Sequence, residues 1–220
     1  MQKSRTITLN LLHGNPFGVK LISFSNRLIL WLSFSRKDFE IAKTRKECDQ
    51  SGVYFLIGQN ENNDSVVYIW QATKLIQRLS HHYQDTDKDF WNQAIVFTTR
   101  DDSLKETDIN FLERELIKIA KGSDRFMVYN KTAWNNCLAD EFKIDDLRDF
   151  IDDLKILLSS LGFHILQDRV AIESTKKKYF CKRKEGTMWM GYYTEEGFLV
   201  LKWSKWVSAN QAKYLNVYNS

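Results

Sequence analysis

The sequence is poor in the residues that make turns. Its 220 residues include 9 glycines and 1 proline, whereas average usage near 7% and 5% would give about 15 and 11. This scarcity excludes collagen-like chains and flexible linkers. Because 43% of the residues are hydrophobic and 27% are charged, an intrinsically disordered chain is excluded as well. A globular protein of one or two domains remains.

Cysteine and long apolar runs are also scarce. Cys48, Cys137 and Cys181 are odd in number, far apart and without CxxC spacing, which argues against a disulfide framework or a zinc site. No run approaches the ~18 uninterrupted apolar residues of a membrane span. The most apolar early segment, 28–34, is too short and too far from the start to be a signal peptide. We therefore expect no membrane partner and a reducing, cytoplasmic setting.

Basic and acidic residues are nearly balanced, since 32 basic and 28 acidic residues give a net charge of +4. One segment near the C-terminus is nevertheless strongly basic and contains Tyr179 and Phe180. Its six cations are Lys176, Lys177, Lys178, Lys182, Arg183 and Lys184. Such a segment can hold a phosphate backbone and stack on a base. The alternative is an edge strand that its lysines protect from aggregation.

Alternating and β-branched runs predict strands along most of the chain. The expected strands are 7–11, 19–24, 52–58, 66–69, 94–98, 163–166, 178–182, 187–193 and 198–202. The polar stretch 59–65 lies between two of them and predicts a β-hairpin.

Apolar positions at helical spacing predict helices at 107–121 and 141–161, ended by Gly122 and Gly162. Another helix is expected after Thr73 as its N-cap. The second predicted helix carries two pairs of acidic residues, Asp145-Asp146 and Asp152-Asp153. We interpret these pairs as a solvated polar face, although a metal site is the alternative.

The hairpin and the helix after it resemble the GIY-YIG endonuclease family. The resemblance lies in Gly52-Val53-Tyr54 on one strand, Tyr68-Ile69-Trp70 on the next and Arg78 ten residues after Tyr68. His82, one helical turn beyond Arg78, fits a position that the family fills with His or Tyr. The resemblance implies a nuclease core over 51–131, with catalytic roles for both tyrosines, the arginine and the histidine.

The next helix extends the resemblance. Glu113 occupies what looks like the family's metal-binding glutamate, and Asn130 stands where a later asparagine is common. Residues 1–50 resemble the lead-in of a bacterial subgroup, and 191–204 is similar to a small appended domain of unknown function. The resemblance implies an α+β fold in which helices flank a small antiparallel sheet. A β-rich lead-in would precede it, and a small α+β appendage would occupy 140–220.

The chemistry of phosphodiester cleavage fits these residue types. The reaction needs a group that orients or deprotonates water, a cation facing the phosphate and a metal at the leaving oxygen. Tyr54 and Tyr68 suit the first role and the fork of Arg78 suits the second. Glu113 is a hard oxygen ligand for a single Mg²⁺ or Mn²⁺. We expect a metal-dependent endonuclease that acts on DNA. Each residue taken alone also has an ordinary structural interpretation.

Two departures from the family pattern leave alternatives open. Trp70 and Trp203 both stand where the family has glycine. An indole at the expected passage from strand to helix would crowd the site, so one alternative is a nucleic-acid-binding module with impaired cleavage. Another is a purely structural interaction protein. Because UGA is read as glycine in some genetic codes and as tryptophan in others, translation with the wrong table would also explain both residues. UGG codons at both positions would exclude that hypothesis.

Overall fold

A computed structural model describes residues 4–130, 141–168, 178–182, 188–194 and 197–200. The chain divides into two compact units, 1–169 and 170–220. This boundary falls later than residue 140, the predicted start of the C-terminal part. The physical reason is the last helix of the first unit, which buries Leu147, Ile151 and Leu154 in the same core as the sheet.

Seven strands of the first unit form one open sheet. In spatial order they are β1 (Ile7–Leu11), β2 (Lys20–Phe24), β3 (Ile29–Ser35), β6 (Trp91–Thr99), β4 (Gly52–Gln59), β5 (Ser65–Ala72) and β7 (Met127–Val128). All neighbours are antiparallel except β5 and β7. The α+β prediction is confirmed, but the sheet is larger than expected because β3 pairs with β6. The lead-in strands therefore continue the sheet that carries the hairpin.

Four α-helices accompany the described strands: α1 (Phe39–Ala42), α2 (Leu75–Gln84), α3 (Glu106–Ser123) and α4 (Glu141–Ser160). Because strand side chains alternate between faces, the sheet has two cores. Val53 and Phe55 face α3 and α4, whereas Tyr54 and Leu56 face α2. Among the helices described, none is both long and apolar enough to cross a bilayer.

Two predicted helix boundaries are wrong. Helix α2 begins after Lys74 with no side-chain capping bond, so Thr73 is not its N-cap. Helix α3 continues through Gly122 to Ser123 and is followed by Asp124, which adopts the left-handed conformation with φ 51°. An aspartate tolerates this conformation, so the helix does not need the glycine as its terminator.

The predicted strand at 163–166 is also wrong. Helix α4 ends before Gly162, whose φ of +85° turns the chain as expected, and the next residues form turns. Ile165 and Leu166 are buried in the core below the sheet, and the Ser123 hydroxyl donates to the Ile165 carbonyl at 2.7 Å. Burial against the end of α3 thus takes the place of strand pairing.

The expected solvation of the acidic pairs on α4 is confirmed for Asp152 but not for Asp153. The Asp152 side chain is 64% exposed, whereas that of Asp153 is 6% exposed. Asp153 forms an ion pair with Arg5, and its second oxygen lies 3.3 Å from Nε of Arg27. Its position toward the N-terminal arginines, rather than toward solvent, explains the difference.

The second unit contains a three-stranded antiparallel sheet in the order β10–β9–β8. Its strands are β8 (Lys178–Lys182), β9 (Met188–Thr194) and β10 (Gly197–Val200). They match the predicted C-terminal strands closely. Lys178 and Lys182 lie in β8. Several residues singled out above lie outside the described part: Cys137, Lys176, Lys177, Arg183, Lys184 and Trp203.

Candidate functional site

The two tyrosines of the hairpin lie on the same face of the sheet. Tyr54 of β4 pairs in register with Trp70 of β5, and Leu56 pairs with Tyr68. Residues two apart on a strand share a face, so both tyrosines point to the side covered by α2. Tyr54 is fully buried and Tyr68 is 9% exposed. Burial raises the pKa of Tyr68 to about 12 and that of Tyr54 well above its ordinary value.

Helix α2 brings His82 against both tyrosines. His82 is fully buried, and its Nε2 lies 2.7 Å from the Tyr54 hydroxyl. Its ring meets that of Tyr68 edge-on, with centroids 5.4 Å apart. Burial, followed by the charges of Lys88 and Arg78, lowers the pKa of His82 to about 3. The imidazole is therefore neutral at physiological pH.

Arg78 lies one turn before His82 on the same helix. Its charge opposes the effect of burial at three groups, because it lowers the pKa values of Tyr54, Tyr68 and Glu113. Its Nε is buried and has no hydrogen-bond partner among the described residues. An unpaired guanidinium donor beside two phenols is the kind of group that holds a phosphate oxygen.

Glu113 reaches the cluster from helix α3. It is 2% exposed, and its Oε1 is buried without a hydrogen-bond partner in the described part of the chain. Burial raises the pKa of this carboxyl to about 7, and the nearby Arg78 opposes that shift. An unpaired buried carboxylate oxygen is a suitable ligand for a hard divalent cation, so Glu113 fits its predicted role in holding a metal.

Asn130 lies at the outer edge of β5. Its Oδ1 accepts from the Ile69 amide at 3.1 Å, and its Nδ2 donates to the Ile69 carbonyl at 2.5 Å. These two bonds satisfy the backbone N–H and C=O of Ile69, which lies between Tyr68 and Trp70. Strand β7 pairs with Val66 and Val67 only. Asn130 therefore positions the strand that carries the second tyrosine.

Trp70 lies inside β5, which continues to Ala72, and not at the passage from strand to helix that was expected. Its indole stacks on the Tyr68 ring at 5.6 Å with an interplanar angle of 7°. The guanidinium carbon of Arg78 lies 5.6 Å from the indole centroid. Trp70 thus contacts two of the residues that the resemblance identifies as catalytic.

Lys88 is a site residue that the sequence did not reveal. It ends a 3-10 turn after α2, and its Nζ lies 2.9 Å from Nδ1 of His82. The same ammonium lies 4.3 Å from the Tyr68 ring centroid. No helical period links Lys88 to His82, so only the fold of the turn brings them together.

A second group of metal-ligand types adjoins the cluster. Ligand atoms of His81, His82 and Asp85 all lie within 4.8 Å of one another. Both ring nitrogens of His82 are engaged, however, by Tyr54 and by Lys88. A cation there would have to displace one of these partners and sit beside an ammonium, so this group fits a metal less well than Glu113 does.

Five of the predicted site residues therefore form one connected cluster, namely Tyr54, Tyr68, Arg78, His82 and Glu113, and Asn130 supports the adjoining strand. The cluster joins the hairpin to two helices and combines a guanidinium with an unpaired Nε, a carboxylate with an unpaired oxygen and two phenols. Comparisons of the chain with protein-family models, with curated proteins and with solved structures found no match.

Proposed function

We propose that the chain is an endonuclease of the GIY-YIG type that hydrolyses phosphodiester bonds in DNA with the help of a divalent metal. The observation that carries the proposal is the pair of unpartnered buried atoms, Nε of Arg78 and Oε1 of Glu113, beside two tyrosines. Leaving a buried polar group unpaired costs about 1–3 kcal/mol. An anionic ligand on the arginine and a cation on the carboxylate would remove that cost.

The proposed mechanism divides the work among the residues of the cluster. Arg78 binds phosphate oxygens and offsets the charge that grows on them. The tyrosine hydroxyls orient the attacking water, since their raised pKa values keep them protonated at neutral pH. Glu113 would hold Mg²⁺ or Mn²⁺, and the bound ion would stabilise the leaving oxygen. A cytoplasmic setting remains part of this proposal.

Nicking of supercoiled plasmid tests the proposal. We expect Mg²⁺-dependent nicking that EDTA abolishes and that Glu113→Gln lowers about 100-fold or more. Glu115→Gln is the matched control, because Glu115 lies on the same helix but pairs with Arg114 at 3.2 Å. Its activity should equal that of the parent. Absence of Mg²⁺-dependent nicking from both the parent and Trp70→Gly would overturn the proposal.

A second candidate is a nucleic-acid-binding module with impaired cleavage, and the position of Trp70 favours it. The indole stacks on Tyr68 and faces Arg78, so it occupies space that a substrate needs. This candidate predicts that the parent binds DNA without cutting it and that Trp70→Gly restores nicking. Fluorescence anisotropy with a labelled duplex should then show binding that weakens as salt rises. A structural interaction protein would show no such binding.

The six basic residues of the C-terminal segment are the proposed DNA-binding residues of either candidate. Replacing Lys178 and Lys182, which lie in β8, with glutamine should reduce the salt dependence of binding by about one unit of slope for each phosphate that is no longer neutralised. An unchanged slope would favour the interpretation of these lysines as protection of an edge strand.

A further inference from the structure

Lys88 joins the cluster through two contacts that the proposed mechanism leaves unused. Its ammonium lies 2.9 Å from Nδ1 of His82 and 4.3 Å from the centroid of the Tyr68 ring. A cation over an aromatic face is attracted by the negative face of the ring. Tyr68 therefore helps to hold the ammonium against the imidazole.

The hydrogens that each group carries determine the direction of the bonds. An ammonium is only a donor, so the short contact requires that Nδ1 of His82 carries no hydrogen. The imidazole is neutral, because burial and the neighbouring cations lower its pKa to about 3. Its one hydrogen is then on Nε2, which donates to the Tyr54 hydroxyl oxygen 2.7 Å away.

We infer that Lys88 is a positioning residue that holds His82 in the Nε2–H tautomer and thereby leaves the hydroxyl hydrogen of Tyr54 free for a third group. In that state His82 cannot accept the proton of Tyr54. If the proposed function holds, the third group is the attacking water or a phosphate oxygen, and Tyr54 acts on it as a hydrogen-bond donor. The tautomer itself does not depend on the proposed function.

Removing the ammonium should reverse the arrangement. A phenol is a good donor, and a neutral imidazole without Lys88 can accept its hydrogen at Nε2 while carrying its own hydrogen on Nδ1. Lys88→Met should therefore change His82 from mainly Nε2–H to mainly Nδ1–H. Lys88→Arg keeps a side chain that only donates, and it should retain the parent tautomer. A lysine that merely fills space would not control the tautomer.

Nitrogen NMR of the full chain labelled with ¹⁵N-histidine measures this directly, because protonated and unprotonated ring nitrogens differ in chemical shift. The chain has 4 histidines, and His82→Gln identifies the signals of His82 by their disappearance. Lys74→Met is the control, since Lys74 is exposed at the start of α2. Its spectrum should match that of the parent.

A parent spectrum with Nδ1 protonated would overturn the inference, and so would an unchanged tautomer in folded Lys88→Met. Should circular dichroism show that Lys88→Met is unfolded, the parent and Lys88→Arg spectra decide the question. In an active enzyme, Lys88→Met should lower kcat about 10- to 100-fold with an unchanged KM, and Lys88→Arg should restore it. A protein that does not nick DNA at all would refute the proposed function and leave the tautomer result intact.

Discussion

At the scale of single residues, the carboxyl of Glu113 stands out because nothing in the described structure satisfies its buried Oε1. Most buried polar atoms in folded proteins are paired, and the exceptions concentrate at functional sites. Arg78 is close enough to lower the pKa of Glu113, yet burial has the larger effect and raises it to about 7. The chain thus keeps a carboxyl that ionises only partly at neutral pH.

This pKa predicts a pH-dependent stability that Glu113→Gln removes. The folded pKa of about 7 exceeds the ordinary value of 4.5, so the favourable contribution is complete below pH 4.5 and is lost as pH rises through 7. Without metal, the free energy of unfolding of the parent relative to Glu113→Gln should fall by about 3 kcal/mol across that range. Urea unfolding in EDTA at several pH values measures the difference.

The free energy of unfolding of the parent must be compared with that of Glu113→Gln, because His82 changes stability with pH in the opposite direction. Its folded pKa of about 3 lies below the ordinary 6.5, so it costs stability as pH falls from 6.5 toward 3. This contribution is common to both proteins and cancels. Above pH 7, Mg²⁺ should stabilise the parent and leave Glu113→Gln unchanged. A difference that stays flat with pH would contradict the proposed burial of the carboxyl.

At the scale of elements, the packing of β4 against β6 depends on the glycine at the start of the hairpin. A Cβ placed on Gly52 would lie 2.2 Å from the Phe97 carbonyl oxygen of β6, a backbone atom that cannot turn aside. Gly122 within α3 is different, since a Cβ there meets nothing within 4 Å. The first glycine of the family-like motif therefore has a packing reason that is independent of catalysis.

Replacement by alanine should have opposite effects on stability at the two glycines. Gly52→Ala should destabilise the protein by about 2 kcal/mol or more, because strand β4 or β6 must shift. Gly122→Ala should stabilise it by about 0.5–1 kcal/mol, since alanine favours a helix and restricts the unfolded chain. Thermal unfolding of both variants measures the difference. Equal effects would show that the approach of β4 to β6 is looser than described.

At the scale of the first compact unit, an ion-pair cluster joins its beginning to its end. Asp153 of α4 contacts Arg5, 148 positions away, and also Arg27. Burial raises the pKa of Asp153, and the two arginines oppose the shift. The strands of the lead-in and the helix beyond the predicted nuclease core are therefore parts of one packed body, with the site on its hairpin.

Asp153→Asn should lower the free energy of unfolding by about 1–3 kcal/mol, because both arginines lose the carboxylate that they share. Asp152→Asn is the matched control at the adjacent exposed position and should change stability by less than about 0.5 kcal/mol. Urea unfolding of the two variants provides the measurement. Similar values for both would mean that the cluster contributes no more than a surface pair.

The sequence by itself determined the features that depend on neighbours along the chain. Alternation with period two placed Tyr54 and Tyr68 on one face of a hairpin, and the apolar stripe of α3 predicted that helix. The helical spacing of Arg78 and His82 placed both on one face of a helix, and the family resemblance grouped them with the tyrosines. These parts were predictable because strand and helix periods orient side chains locally.

Only the tertiary structure decided the contacts between residues that no period connects. The lead-in strands join the sheet of the hairpin through the β3–β6 pairing. The buried Asp153 forms an ion pair with an arginine from the other end of the unit. Lys88 reaches His82 through a turn, and its contact with Tyr68 depends on the path of that turn. Burial, which has the largest effect on the pKa values of His82 and Glu113, arises only when distant segments pack together and exclude water.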